Sequence, residues 1–301
     1  MRQRALWAMF MAPALTLAAC GSDTTTAGDG ASGGTASSAP GGAATEACGG
    51  LLGTFKPLEG VTFTPTKDGT FTVVTSLPGP GFWDGGDTVD KVDGGVEYCM
   101  AKAIGELLGQ KGFEARNEAF DAITTGVAED YDLALTQSSI TDERKKAVDF
   151  TESYYKSDQS IIVATGTKVA TLDDVKGLVL GAQVGTTGEY FAGELIKPTG
   201  AVQSFDSLDG AYTALVAGQI DAVIMDTAIN LGEVSRSGGK LEVVAQFANE
   251  DFYGGILPKG STNVAAINAA IDEIKSNGAL NAFIAQYLGG DPTAVPFIKI
   301  S

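Results

Sequence analysis

Residues 120–135 read FDAITTGVAEDYDLAL, and residues 205–226 read FDSLDGAYTALVAGQIDAVIMD. Each stretch opens on Phe-Asp, continues as a helical pattern and ends on an Asp followed by an apolar strand pattern. Phe120-Asp121 answers Phe205-Asp206, and Tyr131-Asp132-Leu133-Ala134 answers Ile220-Asp221-Ala222-Val223. The offset grows from 85 to 89 residues, a four-residue insertion in a loop. Short β-branched runs surround both copies. Residues 71–75, 113–119 and 132–135 read as strands around helices at 95–109 and 121–127. Residues 178–183, 201–204 and 221–225 repeat the plan around helices at 187–195 and 207–217. Such alternation predicts parallel sheets with helices on both faces. Its repetition predicts two similar doubly wound α/β lobes.

Residues 160–164 and 241–248 fall at the seams and read as strands crossing between the lobes. Beyond them come one more strand, 252–257, and helical patterns at 262–275 and 279–288, with Ser261 as a cap for the first. These last elements are too small to fold alone and are assigned back to the first lobe. The expected organisation is therefore a signal segment at 1–19 and a tether at 20–50. Lobe 1 takes 51–162 with 249–301, and lobe 2 takes 163–248. Two crossing strands make a hinge, and the cleft between the lobes collects strand C-termini and helix N-termini around a ligand.

Composition removes whole classes of activity. Twenty Lys and Arg stand against 37 Asp and Glu, a net charge of −17, so nucleic acid and anionic lipid surfaces are repelled. The 301-residue chain contains no histidine, which excludes Ser-His-Asp and Cys-His nucleophilic sites and histidine-ligated metals. Three cysteines, Cys20, Cys48 and Cys99, are too few for a structural zinc site of cysteine and histidine alone. No metal and no cofactor are expected.

Arg2 and Arg4 precede an uncharged run from Ala5 to Ala19, too short to span a bilayer and interrupted by Pro13. This pattern reads as a secretory signal. The run ends in Leu17-Ala18-Ala19-Cys20-Gly21-Ser22, which resembles the bacterial lipoprotein processing box. That resemblance implies a lipid on Cys20 and an extracytoplasmic, membrane-anchored protein; the alternative is a plain signal with a chance cysteine. Residues 21–47 hold no large apolar side chain and form a Gly/Ser-rich tether, with a span of about 29 Å as a random coil. Cys48 and Cys99 are an even pair in an oxidising compartment, either disulfide-bonded or two buried thiols.

The loops after the strands hold the candidate binding groups. Thr136-Gln-Ser-Ser-Ile-Thr-Asp-Glu-Arg144 supplies hydroxyls, free N–H groups and, in Arg144, a planar fork suited to a carboxylate. The competing reading leaves Arg144 in a solvated patch with Lys145 and Lys146. Gly185-Thr186-Thr187 starts a helix and favours an anion, or is only a threonine cap. Asp226 also starts a helix, as an N-cap or as a negative charge facing the other lobe. Arg on one wall and Asp on the other is the polarity of a zwitterion such as a free α-amino acid.

From about residue 71 to 289 the chain resembles the extracytoplasmic solute-binding proteins of amino-acid ABC importers, such as those for histidine, glutamine or glutamate. The resemblance rests on Tyr131-Asp132, on Ser139-Ile-Thr-Asp-Glu-Arg144 and on Val148-Asp-Phe-Thr-Glu-Ser-Tyr-Tyr155. Leu172-Asp-Asp-Val-Lys-Gly177, Gly185-Thr186-Thr187 and Gln219-Ile-Asp-Ala-Val-Ile-Met-Asp226 continue it in order. It implies that Arg144, helped by Ser139 and Thr187, binds the ligand carboxylate. Asp226 and Thr136 then bind the ammonium, Thr186 closes with Thr187, and a membrane permease receives the ligand from a monomeric carrier. The family's aromatic and Pro-Pro-Phe-like turn after the first strand is replaced by Ser76-Leu-Pro-Gly-Pro-Gly-Phe82-Trp83. Phe82 or Trp83 then either stacks on the ligand or anchors the loop. Gln137 replaces a small residue and Gln183 sits where the side-chain readout varies, hinting at a polar amino acid.

Two rivals remain. A secreted dehydratase on the same scaffold needs an Asp or Glu over a leaving group, and no paired carboxylates appear in the cleft loops. A ligand-sensing module needs a signalling partner, since no transmembrane helix or further domain follows in the sequence.

Overall fold

A computed structural model describes residues 47–300. The signal segment, Cys20 and nearly all of the tether lie outside the described residues. Eight strands form one sheet: β1 (Thr70–Thr75), β2 (Gly112–Asn117), β3 (Leu133–Ala134), β4 (Val148–Ala164), β5 (Leu180–Gln183), β6 (Gln203–Phe205), β7 (Ala222–Asp226) and β8 (Leu241–Pro258). Their spatial order is β2-β1-β3-β8-β4-β7-β5-β6. At one end β2, β1 and β3 run parallel; at the other β7, β5 and β6 run parallel. The sequence pattern predicted two sheets. They meet because β4 and β8, of 17 and 18 residues, pair antiparallel along their length and belong to both halves. The separate strand expected at 252–257 is the far end of β8.

That ladder is where bending is built in. Its register shifts at Phe150/Ser153, Ser153/Tyr155, Ser157/Gln159 and Ile161/Ile162. Each irregularity bends and twists a strand locally, and four in one ribbon make the middle of the sheet its most deformable part. The larger apolar cluster crosses this line, joining Phe71, Ile104 and Phe283 to Leu215, Val223 and Met225, and only a smaller cluster is confined to the far half. Ile161, Val163, Leu180, Phe191, Ile224 and Phe247 form that smaller core, while Leu133 and Ile267 belong to the larger one.

Most helices follow the sequence with small shifts, and the short ones at 144–147 and 172–176 were not expected from it. The helices are α1 (Val96–Leu107), α2 (Phe120–Thr124), α3 (Arg144–Ala147), α4 (Leu172–Lys176), α5 (Thr187–Tyr190), α6 (Leu208–Val216), α7 (Thr227–Arg236), α8 (Val264–Ser276) and α9 (Ala279–Tyr287). After α5 the chain widens into a π turn at Phe191–Ile196. Ser261 does not cap α8: Asn263 holds the cap position, and the Ser261 hydroxyl accepts from the Asn263 amide at 3.2 Å. α1 starts against the Phe82–Trp83 turn so closely that a Cβ on Gly95 would meet the Phe82 carbonyl at 2.2 Å. Its face of Val96, Met100, Ala103, Ile104 and Leu107 is buried as its periodicity predicts.

The remaining sides of α1 are covered by chain to which the sequence pattern assigned no element. Residues 51–63 pack Leu51, Phe55, Leu58, Val61 and Phe63 onto the core. Glu106 of α1 accepts from the Gly53 amide at 2.8 Å, and Asn263 accepts from the Thr64 amide at 3.1 Å. Cys48 is buried and joined to Cys99 by a disulfide, which ties the chain ahead of residue 51 to α1. Closing a loop of 51 residues restricts the unfolded chain by about 4 kcal/mol on the chain-entropy relation. The Cys48→Ser/Cys99→Ser variant is expected to lose about that much in urea unfolding; unchanged stability would show the staple to be redundant with the packing.

Candidate functional site

The loop leaving β3 builds one wall. Thr136 is buried and its hydroxyl accepts from the Ser76 amide at 3.1 Å, tying the loop to the end of β1. Gln137 sits at φ +48°, in the left-handed region that costs a non-glycine residue free energy. Glu97 of α1, 0% exposed, holds it there. Its carboxylate accepts from the Gln137 amide at 2.8 Å, from the Gln137 side chain, from Tyr154 and, at 2.9 Å, from the Trp83 indole. Burial pushes Glu97 up to about 7 against these hydrogen bonds. Glu97 is a functional group the sequence reading missed, although its neighbours Val96, Met100 and Ala101 mark its face of the helix as buried.

With Gln137 fixed, the rest of the loop is set as well. Arg144 donates from Nη1 to the Ser138 hydroxyl at 3.2 Å and the Ser139 carbonyl at 2.8 Å, and from Nη2 to the Gly185 carbonyl at 3.1 Å. Its guanidinium lies 5.1 Å from the centre of the Phe120 ring. Arg144 is thus held inside the cleft and bridges its two walls, apart from the exposed Lys145 and Lys146. Every acceptor is neutral, and among the described residues no carboxylate lies within ion-pair distance of it. Burial lowers its pKa, partly offset by Asp226 and Asp251.

The opposite wall begins at Gly185, whose φ of +73° turns the chain from β5 into α5. Thr186 is the cap: its hydroxyl accepts from the Glu189 amide at 3.1 Å and donates to the Gln183 carbonyl at 2.7 Å. Thr187 instead presents its hydroxyl to Ser139 across the cleft at 3.3 Å. Asp226 occupies the cap position of α7, yet its side chain does not cap. Its oxygens accept from Gln159 and, at 2.6 Å, from Tyr253, both on the crossing strands. Asp226 is 1% exposed. Burial first and Asp251 second push its carboxyl up to about 7, against Tyr253, Arg144 and Gln159.

Two expectations change. Phe82 and Trp83 are 0% and 2% exposed, so neither presents a face to a ligand. Phe82 packs edge-on to Tyr155 and Tyr253, and the Trp83 indole also donates to the Leu135 carbonyl at 3.0 Å. Both anchor the loop. The aromatic surfaces that line the cavities are Phe120, noticed in the sequence only as half of a repeated dipeptide, and the exposed Tyr190. Paired carboxylates, absent from the cleft loops in the sequence, exist in the fold. Gln159 donates from one amide nitrogen both to Asp226 and, at 3.0 Å, to Asp251 of β8.

A small inner cavity of about 20 Å³ brings Thr136, Gln137 and Gln183 together with Phe120 and Met225. A second cleft, here the outer one, of about 800 Å³ shares no lining residue with it and includes Arg144, Gly185, Thr186 and Thr187. Among the described residues no group of three or more acidic or cysteine side chains is placed to hold a metal ion, and no helix is long and apolar enough to cross a membrane.

A hinged pair of α/β halves around a cleft, with a guanidinium on one wall and a buried carboxylate on the other, defines a two-lobed solute-binding protein. The chain belongs to the bacterial extracellular solute-binding proteins, family 3, which match residues 88–290. It is similar to the ABC transporter glutamine-binding protein GlnH of Bacillus subtilis, 32% identical over 165 residues, covering 54% of this chain and 60% of that protein. It is 34% identical over 174 residues to an L-arginine-binding protein of Pseudomonas aeruginosa, covering 53% and 66%. These matches span about three-fifths to two-thirds of the relatives' own length. An ancestral arginine-binding protein bound to glutamine superposes with a TM-score of 0.66 at 29% identity, covering 74% of this chain and all of that one.

Glu97 and Asp226 both keep protons in the fold that the unfolded chain gives up at ordinary carboxylate pKa values. Their charging therefore weakens the fold as pH rises from about 4.5 towards 7, and adds nothing further above that. Asp174, held below its usual range by the Ala170 amide and by Thr171, acts only at more acid pH. The melting temperature is expected to rise as pH falls from neutrality into this window, with a shallower slope in Glu97→Gln. An equal slope in the two proteins would remove Glu97 from the account.

Proposed function

We propose that the protein captures a free, polar α-amino acid between its lobes and delivers it to an ABC permease in the cytoplasmic membrane. Lobe 1 is 51–162 with 249–301, lobe 2 is 163–248, and the carrier acts as a monomer. The observation that supports this most is the separation of unlike charges: Arg144 is half-buried and Asp226 buried, each hydrogen-bonded to neutral partners. A zwitterion supplies the missing counter-charge to both at once. Its carboxylate docks on Arg144, Ser139 and Thr187, and its ammonium on Asp226 and Thr136. Gln137 and Gln183 line the side-chain end with Phe120. Outside the cytoplasm, a lipid on Cys20 anchors the chain through the tether of 21–47.

The cost of burying Asp226 and the gain on binding are linked. A carboxylate raised to about 7 is partly protonated near neutrality, and an arriving ammonium draws it into the charged form. Charge-assisted hydrogen bonds contribute about 1.5–3 kcal/mol each. Three or four, less ordering and desolvation, match the ~8 kcal/mol of a micromolar complex. Closure is favoured only by contacts that the open form lacks, and Asp226 and Thr187 supply them from lobe 2.

The dehydratase reading gains one point of support, since Asp226 beside Asp251 is an acid able to exchange a proton near neutrality. Mass spectrometry separates the two functions: a carrier returns its ligand chemically unchanged, whereas a dehydratase releases product lighter by one water. By calorimetry, Arg144→Ala is expected to weaken amino-acid binding at least tenfold, or about 1.4 kcal/mol. Unchanged affinity would remove Arg144 from the site. Wild-type affinity is expected to fall as pH drops below about 7, opposite to the trend in fold stability, because protonated Asp226 no longer pairs with an ammonium.

A further inference from the structure

The cation end of the cleft holds more negative charge than a zwitterion balances. Resting on the reading of this site as an amino-acid receptor, we propose that Asp251 acts with Asp226 as a paired-carboxylate receptor. The ligand carried is then an amino acid with a second, cationic group. Asp251 reaches the site from β8, and the two carboxylates lie on either side of one amide nitrogen of Gln159. Its other partner is the Asn249 amide at 2.9 Å, also neutral. Among the described residues neither carboxylate has a Lys or Arg within ion-pair distance. The charges facing one another are Arg144 on one side and Asp226 and Asp251 on the other, with Tyr253 and Tyr155 as neutral phenols between.

A neutral amino acid leaves this set with one uncompensated negative charge in a partly dry site, where such a charge is costly. A ligand with two cationic groups and one carboxylate neutralises it. The outer cleft fits the same ligand. Its lining includes Asp121, Glu143, Glu189 and Glu194, with Arg144 the only cation among them, so its potential attracts positive charge. Asp226 and Asp251 do not line it, so it serves the approach of the ligand and not the seat of the second cation. Asp251 is also the second cause, after burial, of the raised Asp226 carboxyl, and a cation between the two removes that repulsion.

The test is calorimetry at slightly alkaline pH with lysine, ornithine, arginine, glutamine, asparagine and glutamate, on wild type and on Asp251→Asn. Wild type is expected to bind one of the cationic amino acids at least tenfold more tightly than any neutral one. Asp251→Asn is expected to shrink that ratio about tenfold. Tighter binding of a neutral or acidic amino acid by wild type overturns the inference and leaves the receptor reading standing. So does an unchanged ratio in a folded Asp251→Asn. Should that variant not fold, the wild-type ranking alone decides. A protein that binds none of the six overturns the receptor reading itself.

Discussion

The Asp226 carboxylate, enclosed at the join of the two halves and held by Gln159 and Tyr253, is the constraint on which the rest of the structure turns. A buried charge is tolerated when hydrogen-bonded, and is stabilised further by an opposite charge. Both of these side-chain partners stand on the crossing strands, Gln159 on β4 and Tyr253 on β8, while Asp226 ends β7. One carboxylate is therefore bonded to both strands of the ribbon whose irregular register lets the sheet bend. A change of angle about that ribbon acts on the two strands whose side chains hold this carboxylate.

Arg144 is the counterpart on the other wall, and its support is equally indirect. The guanidinium is aimed by Ser138 and Ser139, whose loop is set by the left-handed turn at Gln137, which Glu97 holds from inside α1. A chain of buried polar contacts thus runs from the core of the first half to the cleft. Each link is costly to leave unsatisfied, and that cost makes the loop rigid rather than adaptable.

The sequence made the framework legible because the repeated strand-helix-Asp-strand text carries its own periodicity. Positions in that text fell within a residue or two of the observed elements, with ends moving where fraying and caps decide. Ser139 lies in the loop after β3, Arg144 and Thr187 open helices that follow strands, and Asp226 closes β7, so strand order alone brings them to the ends of the strands. What was not legible depends on the crossing strands. Asp251 and Gln159 are 92 residues apart in sequence and meet only because β4 and β8 pair with particular bulges. Glu97 is enclosed by Trp83, Gln137 and Tyr154, which reach it from three distant parts of the chain. Phe82 and Trp83 sit where a ligand-facing aromatic was expected, but the close approach of Gly95 to Phe82 folds that turn inward.

The disulfide and the apolar wrap of residues 51–63 have a mechanical consequence. The chain joins its folded body on α1, and the contacts of the wrap are all made with elements on the same side of the flexible ribbon. Tension applied upstream of Cys48 is delivered through a covalent staple into one rigid half and never across the joint. A change of angle between the halves therefore leaves that covalent attachment on α1 undisturbed.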